Sequence, residues 1–166
     1  MKNILLSLLL VITGIYLVSC NSNPEVDRTS ALQRYNNEEF HISLNYPSNW
    51  SENKSYDPAR LEGQDGFFQI SASEGDSIDQ VAEREINHVL KPYGSKPQIE
   101  SLSIEGNEAQ LILPSEDQPK DMIGQAELII KYPQAVGIDN EDYSFFIVSA
   151  DVEHIREIAS TIHLLR

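Results

Sequence analysis

The period of the apolar positions changes several times along the chain, and each change marks an element. Phe40, Ile42, Leu44 and Tyr46 alternate with His41, Ser43 and Asn45, the two-residue period of a strand with one buried face. Pro47 ends that run, and Trp50 follows in a turn. Residues 51–65 are polar, contain Pro58 and Gly63, and read as a loop; residues 66–72, with Phe67, Phe68 and Ile70, read as a second strand. From Ser77 the spacing becomes helical: Ile78, Val81, Ala82, Ile86, Val89, Leu90 and Tyr93 form one apolar stripe over residues 77–93. Ser77 and Gln80 make a capping box, Asp76 and Asp79 suit the helix dipole, and Pro92 and Gly94 close the segment. Residues 99–105 and 108–113 alternate around Gly106-Asn107 and predict a hairpin. Residues 125–132 and 143–150 predict two more strands, joined by a loop holding Pro133, Gly137 and Asp139-Asn140-Glu141-Asp142. Asp151 is placed to cap a last helix whose stripe is Val152, Ile155, Ile158, Ala159 and Ile162.

The order is therefore strand, strand, helix, four strands, helix. Neighbouring strands with short links pair antiparallel, and helices with one apolar face need a sheet to cover. The fold class is α+β: an antiparallel sheet of about six strands with two main helices packed on it. No internal repeat is visible.

The first twenty residues follow a different pattern. Lys2 is their only charge, and residues 4–18 are apolar apart from Ser7, Thr13 and Gly14. A cationic start with a short apolar core is the secretory-signal pattern, and the run is shorter than the ~20 residues that span a bilayer. It ends in Leu17-Val18-Ser19-Cys20. This resembles the lipobox of bacterial lipoproteins, and the one cysteine of the chain stands where that motif places its lipidated thiol. The resemblance implies diacylglycerol on Cys20, removal of residues 1–19, and a domain held on the extracytoplasmic face of the cell membrane by acyl chains, two of which suffice for stable anchoring. The competing reading is an uncleaved anchor helix; the short segment and the lack of a basic stop-transfer flank weigh against it. Residues 20–38 read as a tether, with a short helical turn over 30–35 as the alternative, and residues 39–166 as a single domain.

The opening Phe40-x-Ile42-x-Leu44-x-Tyr46-Pro47-x-x-Trp50, with the element order behind it, resembles the PsbP-like (Mog/PsbP-type) superfamily. That resemblance implies a binding or accessory domain without catalytic residues of its own, and it supplies no site to carry over.

Composition narrows the function classes. With 40% hydrophobic and 23% charged residues over 166 positions, the chain fits one ordinary domain. Its net charge of −14 argues against nucleic acid, whose phosphates call for Lys and Arg. It also argues that the lipid, and not an acidic surface, holds the membrane. A single Cys excludes an internal disulfide and a cysteine-based zinc site.

Candidate chemistry is sparse. His41, His88, His154 and His163 lack the His-Glu-x-x-His spacing of a helical metal pair, and read as solvated. Asp139, Glu141 and Asp142 are oxygen ligands suited to a hard cation, but an EF-hand counted from Asp139 would need Gly at Ser144 and Glu at Ala150. A solvated turn explains them equally. No Gly-x-Ser-x-Gly motif and no phosphate-cradling glycine loop is present, and Ser51-Glu52-Asn53-Lys54, which has the Ser-x-x-Lys spacing, lies in a polar loop without the motif's further partner, so neither a catalytic residue nor a cofactor nor a metal is expected. The carboxylates read as spread along solvent faces, without the apolar surroundings that raise a pKa. Tyr46, Trp50, Phe67 and Phe68 either line a ligand groove or make a small sheet's core, and large aromatics dominate ordinary cores. Tyr132-Pro133 and the loop behind it are a candidate recognition edge. These features lead to a membrane-anchored, non-catalytic binding or accessory domain with a protein or cell-envelope partner. A small-ligand or cation-binding lipoprotein using Tyr46, Trp50, Asp139, Glu141 or Asp142 is the alternative, and an envelope hydrolase stands behind both.

Overall fold

A computed structural model describes residues 31–58 and 60–165. The apolar leader, Cys20 and the first part of the expected tether lie outside the described residues. Among these, the order is β1 (Leu32–Asn37), β2 (Ile42–Pro47), β3 (Ser51–Asn53), β4 (Arg60–Glu62), β5 (Phe67–Ser73), α1 (Ile78–Ile86), β6 (Gln98–Ile104), β7 (Asn107–Leu113), β8 (Gln125–Ile138), β9 (Glu141–Asp151), α2 (Ile155–Ser160) and β10 (His163–Leu164). The strands form a three-stranded sheet, β1-β2-β10, and a seven-stranded sheet, β3-β4-β5-β9-β8-β7-β6. Each recorded strand pair is antiparallel.

The large sheet is covered on both faces, so its central strands serve two cores. Leu128 and Ile130 of β8, with Phe146 and Val148 of β9, pack with Ile42 and Leu44 of β2 and with Ile155 and Ile158 of α2. The alternate residues Ile129, Phe145 and Ile147 pack with Ile78, Val81 and Ala82 of α1. Successive side chains point to opposite faces of a strand, which is why β8 and β9 read as nearly continuous apolar runs.

Several elements differ from the sequence expectation. The large sheet has seven strands and a second sheet stands beside it, where one sheet of about six was expected. Residues 32–37, placed in the tether, pair with β2 from Leu32↔Pro47 to Asn37↔Ile42; Arg34 donates to the buried Ser43 hydroxyl at 2.8 Å, a cross-strand link that composition does not reveal. Residues 51–65 contain the short strands β3 and β4, too brief to show a period. His41 lies in a turn with φ +50°, outside the strand it was expected to share.

The helix starts as predicted and ends early. Ser77 accepts from the Gln80 amide, while the Gln80 side chain accepts from the Asp76 amide, one residue before its capping-box target. Asn87 closes α1, its side chain donating to the Glu83 carbonyl, and Lys91 at φ +49° keeps the chain out of the helix. Val89 and Leu90, although in period, are exposed. The expected loop of 133–142 contracts to the two-residue turn Asp139-Asn140, both at positive φ, as a type I′ hairpin requires. Pro133 sits where the β8–β9 register shifts between Lys131 and Val136, a break in the ladder at which a missing N–H is tolerated. The 104–107 hairpin turns on Glu105-Gly106, one residue earlier than read. At the end of the chain, His154 is the N-cap of α2 and makes no side-chain cap bond; Asp151 belongs to β9 and accepts from the Glu153 and His154 amides.

Candidate functional site

On the α1 face of the large sheet a row of polar residues crosses three strands. Gln69 of β5 stands opposite Ser149 of β9, which stands opposite Glu127 of β8. The central position of β8 and the cover above it bury Glu127 to 4% exposure. The Tyr93 hydroxyl donates to its Oε2 at 2.6 Å, and the Ser149 hydroxyl donates to the same oxygen at 3.3 Å. Its Oε1 is buried without a hydrogen-bond partner among the described residues. Burial, and next the nearby Glu85 carboxylate, push the Glu127 carboxyl up to about 8, against the opposing pull of the two hydroxyls. At neutral pH this side chain is mostly a neutral acid. Tyr93, buried and facing Glu127, is pushed up as well, first by burial and then by that neighbour.

This row floors a cleft of about 350 Å³. Glu85, His88, Leu90 and Tyr93 form one wall, Met122 and Gln125 another, and Asp57 with Pro58 the third. Gln118 ties two walls together: its amide donates to the Pro92 and Gln125 carbonyls, at 2.6 and 3.0 Å, and its carbonyl accepts from Gly124. Leu90, which lines the cleft, is 55% exposed, and Val89 and Ile123, chain neighbours of the lining residues Leu90 and Met122, are 86% and 73% exposed. A concave site with a few convergent polar groups and a carboxyl of displaced pKa is the usual form of a small-molecule site.

The residues singled out from sequence lie elsewhere. Tyr46 and Trp50 are buried around Phe68, at ring separations of 5.5 and 6.4 Å, in the opposite core. Asp139, Glu141 and Asp142 are exposed at the β8–β9 tip. Asp139 borders a separate groove of about 270 Å³ with Phe40, Ile138 and Tyr143, in which the carboxylates are solvent-exposed. Tyr132 is buried and donates to the Phe40 carbonyl at 2.7 Å, so it is a clamp between the sheets. Among the described residues no group of three or more His, Cys, Asp or Glu is placed to hold a metal ion. Cys20 is outside them.

Two readings are corrected. The carboxylates are not all on solvent faces: Glu127 lies in the interior. The signal for it was a lone acid inside Ala126-Glu127-Leu128-Ile129-Ile130, an unusual interruption for a strand buried on both faces. Nor are the histidines all solvated. His154 is 15% exposed in its side chain and bonds Asp151 at 2.7 Å, with Asp65 at 3.9 Å on its other nitrogen. Trp50 donates to the same Asp65 at 2.8 Å and meets the His154 ring edge-on. Gly66 leaves the room for this cluster, because a Cβ there would overlap the Asp151 carboxylate and the His154 ring.

No protein-family model matches the chain, and no curated protein matches it. Among solved structures it is similar to the solution structure of cyanobacterial PsbP (CyanoP) from Synechocystis sp. PCC 6803, at 16% identity and a TM-score of 0.44, covering 89% of this chain and 98% of that one.

Proposed function

We propose that this chain is a lipid-anchored extracytoplasmic protein whose single PsbP-like domain is non-catalytic and binds a small ligand in the Glu127 cleft. The anchor rests on Leu17-Val18-Ser19-Cys20, and the domain assignment on the Phe40–Trp50 opening motif. The observation that carries the binding reading is Glu127. An ionisable group with an unpartnered oxygen in a central strand lowers stability, and a ligand that satisfies that oxygen recovers the loss. A volume of about 350 Å³ lies in the range of small-molecule pockets, and this favours a small ligand over a protein partner at this site.

Two measurements test the proposal. In a bacterium that processes lipoproteins, the chain incorporates labelled palmitate and Cys20→Ser abolishes the label; an equally labelled variant refutes the anchor. For the cleft, the full chain in detergent micelles is titrated with a metabolite panel and the amide resonances of Tyr93, Glu127 and Ser149 are followed. A saturable shift confined to the cleft supports binding. Turnover of an ester, peptide or glycan by the same preparation refutes the non-catalytic reading.

A further inference from the structure

The cleft has a marked charge bias. Asp57, Glu85 and Glu127 line it, and His88 is the one lining residue able to carry positive charge. Arg84 does not supply the missing cation: its guanidinium bonds Ser73 and the Glu74 carbonyl and lies 3.8 Å from Glu85. The acidic lining alone would be an ordinary solvated feature. What distinguishes it is Glu127, a lining residue only 4% exposed, whose Oε1 is buried without a partner among the described residues. A divalent metal does not fit, because no three acidic or histidine side chains converge closely enough among the described residues. An organic cation fits better, since one N–H reaches a single carboxylate oxygen and a hydrocarbon portion lies against Leu90 and Met122 at the mouth.

Resting on the reading that this cleft binds a small ligand, we propose that the ligand is an organic ammonium ion with an apolar tail, its N–H groups donating to Glu127 Oε1 and its tail lying on the Leu90–Met122 rim. Binding exchanges one charge for another. The carboxyl proton of Glu127 leaves to solvent, the carboxylate pairs with the ammonium, and the net charge of the buried floor stays at zero. The groups facing Glu127 are Tyr93 and Ser149, which donate to its other oxygen, Glu85, whose carboxylate favours an incoming cation, and Arg84, whose charge favours the ionised carboxylate. His88 and Asp57 stand on the walls.

The exchange makes affinity depend on pH in one direction. An alkylammonium keeps its proton throughout this range, as a lysine does, so only the fraction of ionised Glu127 limits binding. With that carboxyl at about 8, affinity is roughly fiftyfold weaker at pH 6 than at pH 8 and levels off above it.

The test is an NMR titration of the full chain in detergent micelles with n-butylammonium, n-butanol and butyrate, at pH 6, 7 and 8. The expected result is a saturable shift of the Tyr93, Glu127 and Ser149 amides with n-butylammonium alone. The affinity rises across the pH series, and the Glu127 side-chain carboxyl carbon moves to its ionised position on binding. Glu127→Gln, isosteric with the neutral acid and therefore expected to fold, abolishes the response. His88→Gln, which removes the one imidazole of the cleft lining, keeps the pH trend. If butanol or butyrate occupies the cleft and butylammonium does not, the ammonium assignment is overturned while the cleft remains a binding site. If Glu127→Gln binds butylammonium undiminished, or if the affinity is flat with pH, the proton exchange is overturned. If none of the three probes perturbs the cleft, the ammonium assignment fails as well.

Discussion

Replacing Glu127 by Gln changes how the stability of the fold depends on pH, and the change follows from the position of one oxygen pair. In the denatured chain the carboxyl titrates near its ordinary 4.5, whereas in the folded chain burial and Glu85 hold it at about 8. Between these values the native state keeps a proton that the denatured state has lost. The contribution of this group to stability is therefore greatest below about pH 4.5, falls as pH rises, and levels off above about pH 8. Each pH unit in that window is worth about 1.4 kcal/mol, which totals about 5 kcal/mol across it. Gln at this position carries no titrating proton and removes the whole dependence. Its carbonyl still accepts from Tyr93 and Ser149, and its amide takes the site of the Oε1 hydroxyl, where the neutral acid already leaves a buried donor unpaired, so the exchange costs little relative to the protonated native state. The two stability curves therefore lie close together near pH 5 and separate as pH rises, the variant leading by about 4 kcal/mol at pH 8. Urea unfolding of the full chain at half-unit intervals from pH 5 to 8 provides the assay. Trp50, the one tryptophan and buried, reports the transition. The carboxylates away from the cleft contribute equally to both proteins, so the difference between the curves isolates Glu127 together with its coupling to Glu85. Parallel curves over that range would show that this carboxyl is ionised in the folded state and would refute the argument.

Two further predictions concern the opposite face. Gly66→Ala places a Cβ against the Asp151 carboxylate and 2.8 Å from His154 Nδ1; the rearrangement costs about 1–3 kcal/mol in urea unfolding, and an unchanged midpoint would mean that this cluster yields freely. Asp65→Ala strips the buried Trp50 indole of its acceptor, for a loss of about 1–3 kcal/mol with a shift in Trp50 emission, whereas Asp65→Asn keeps an acceptor and stays close to the native protein; equal losses in both variants would assign the effect to charge.

What could be read from the residues depended on whether a signal was local. The start of α1 was visible because Ser77 caps through its own hydroxyl, an interaction completed within three residues. Its end was not, because Val89 and Leu90 continue the apolar period while Asn87 and Lys91 turn the backbone away, and a hydropathy pattern contains no backbone angle. β1 carries only Leu32 and Tyr35 as large apolar residues and is held by its ladder to β2, a partner that composition cannot supply. Pro133 and Gly137 read as loop residues because a strand of fourteen residues with a register shift in its middle is rare. The site suffered most. A lone Glu between apolar residues alternates correctly for a strand with one wet face, and only the knowledge that α1 and the segment after it cover the second face turns Glu127 into a buried acid.

That early helix end and the cleft are one structural fact. α1 covers Ile129, Phe145 and Ile147 and stops at Ile86. Continued to Tyr93, as its apolar stripe suggests, it would extend by roughly 10 Å, at 1.5 Å per residue. Glu85 and His88 already border the cleft, so the added turns would run alongside or across the Gln69–Ser149–Glu127 row. The chain instead leaves the helix at Asn87, exposes Val89 and Leu90, and returns Tyr93 to the sheet as a single hydroxyl donor on one oxygen of Glu127. A helix laid over that row would have buried polar side chains under apolar ones and left both oxygens of the acid to be satisfied. The turn satisfies one, leaves the other without a partner in a residue that lines the cleft, and leaves Val89 and Leu90 exposed beside it. Sequence features that look like failures of a helix, an Asn too early and an apolar pair with nothing to pack on, are therefore the features that leave the cleft open.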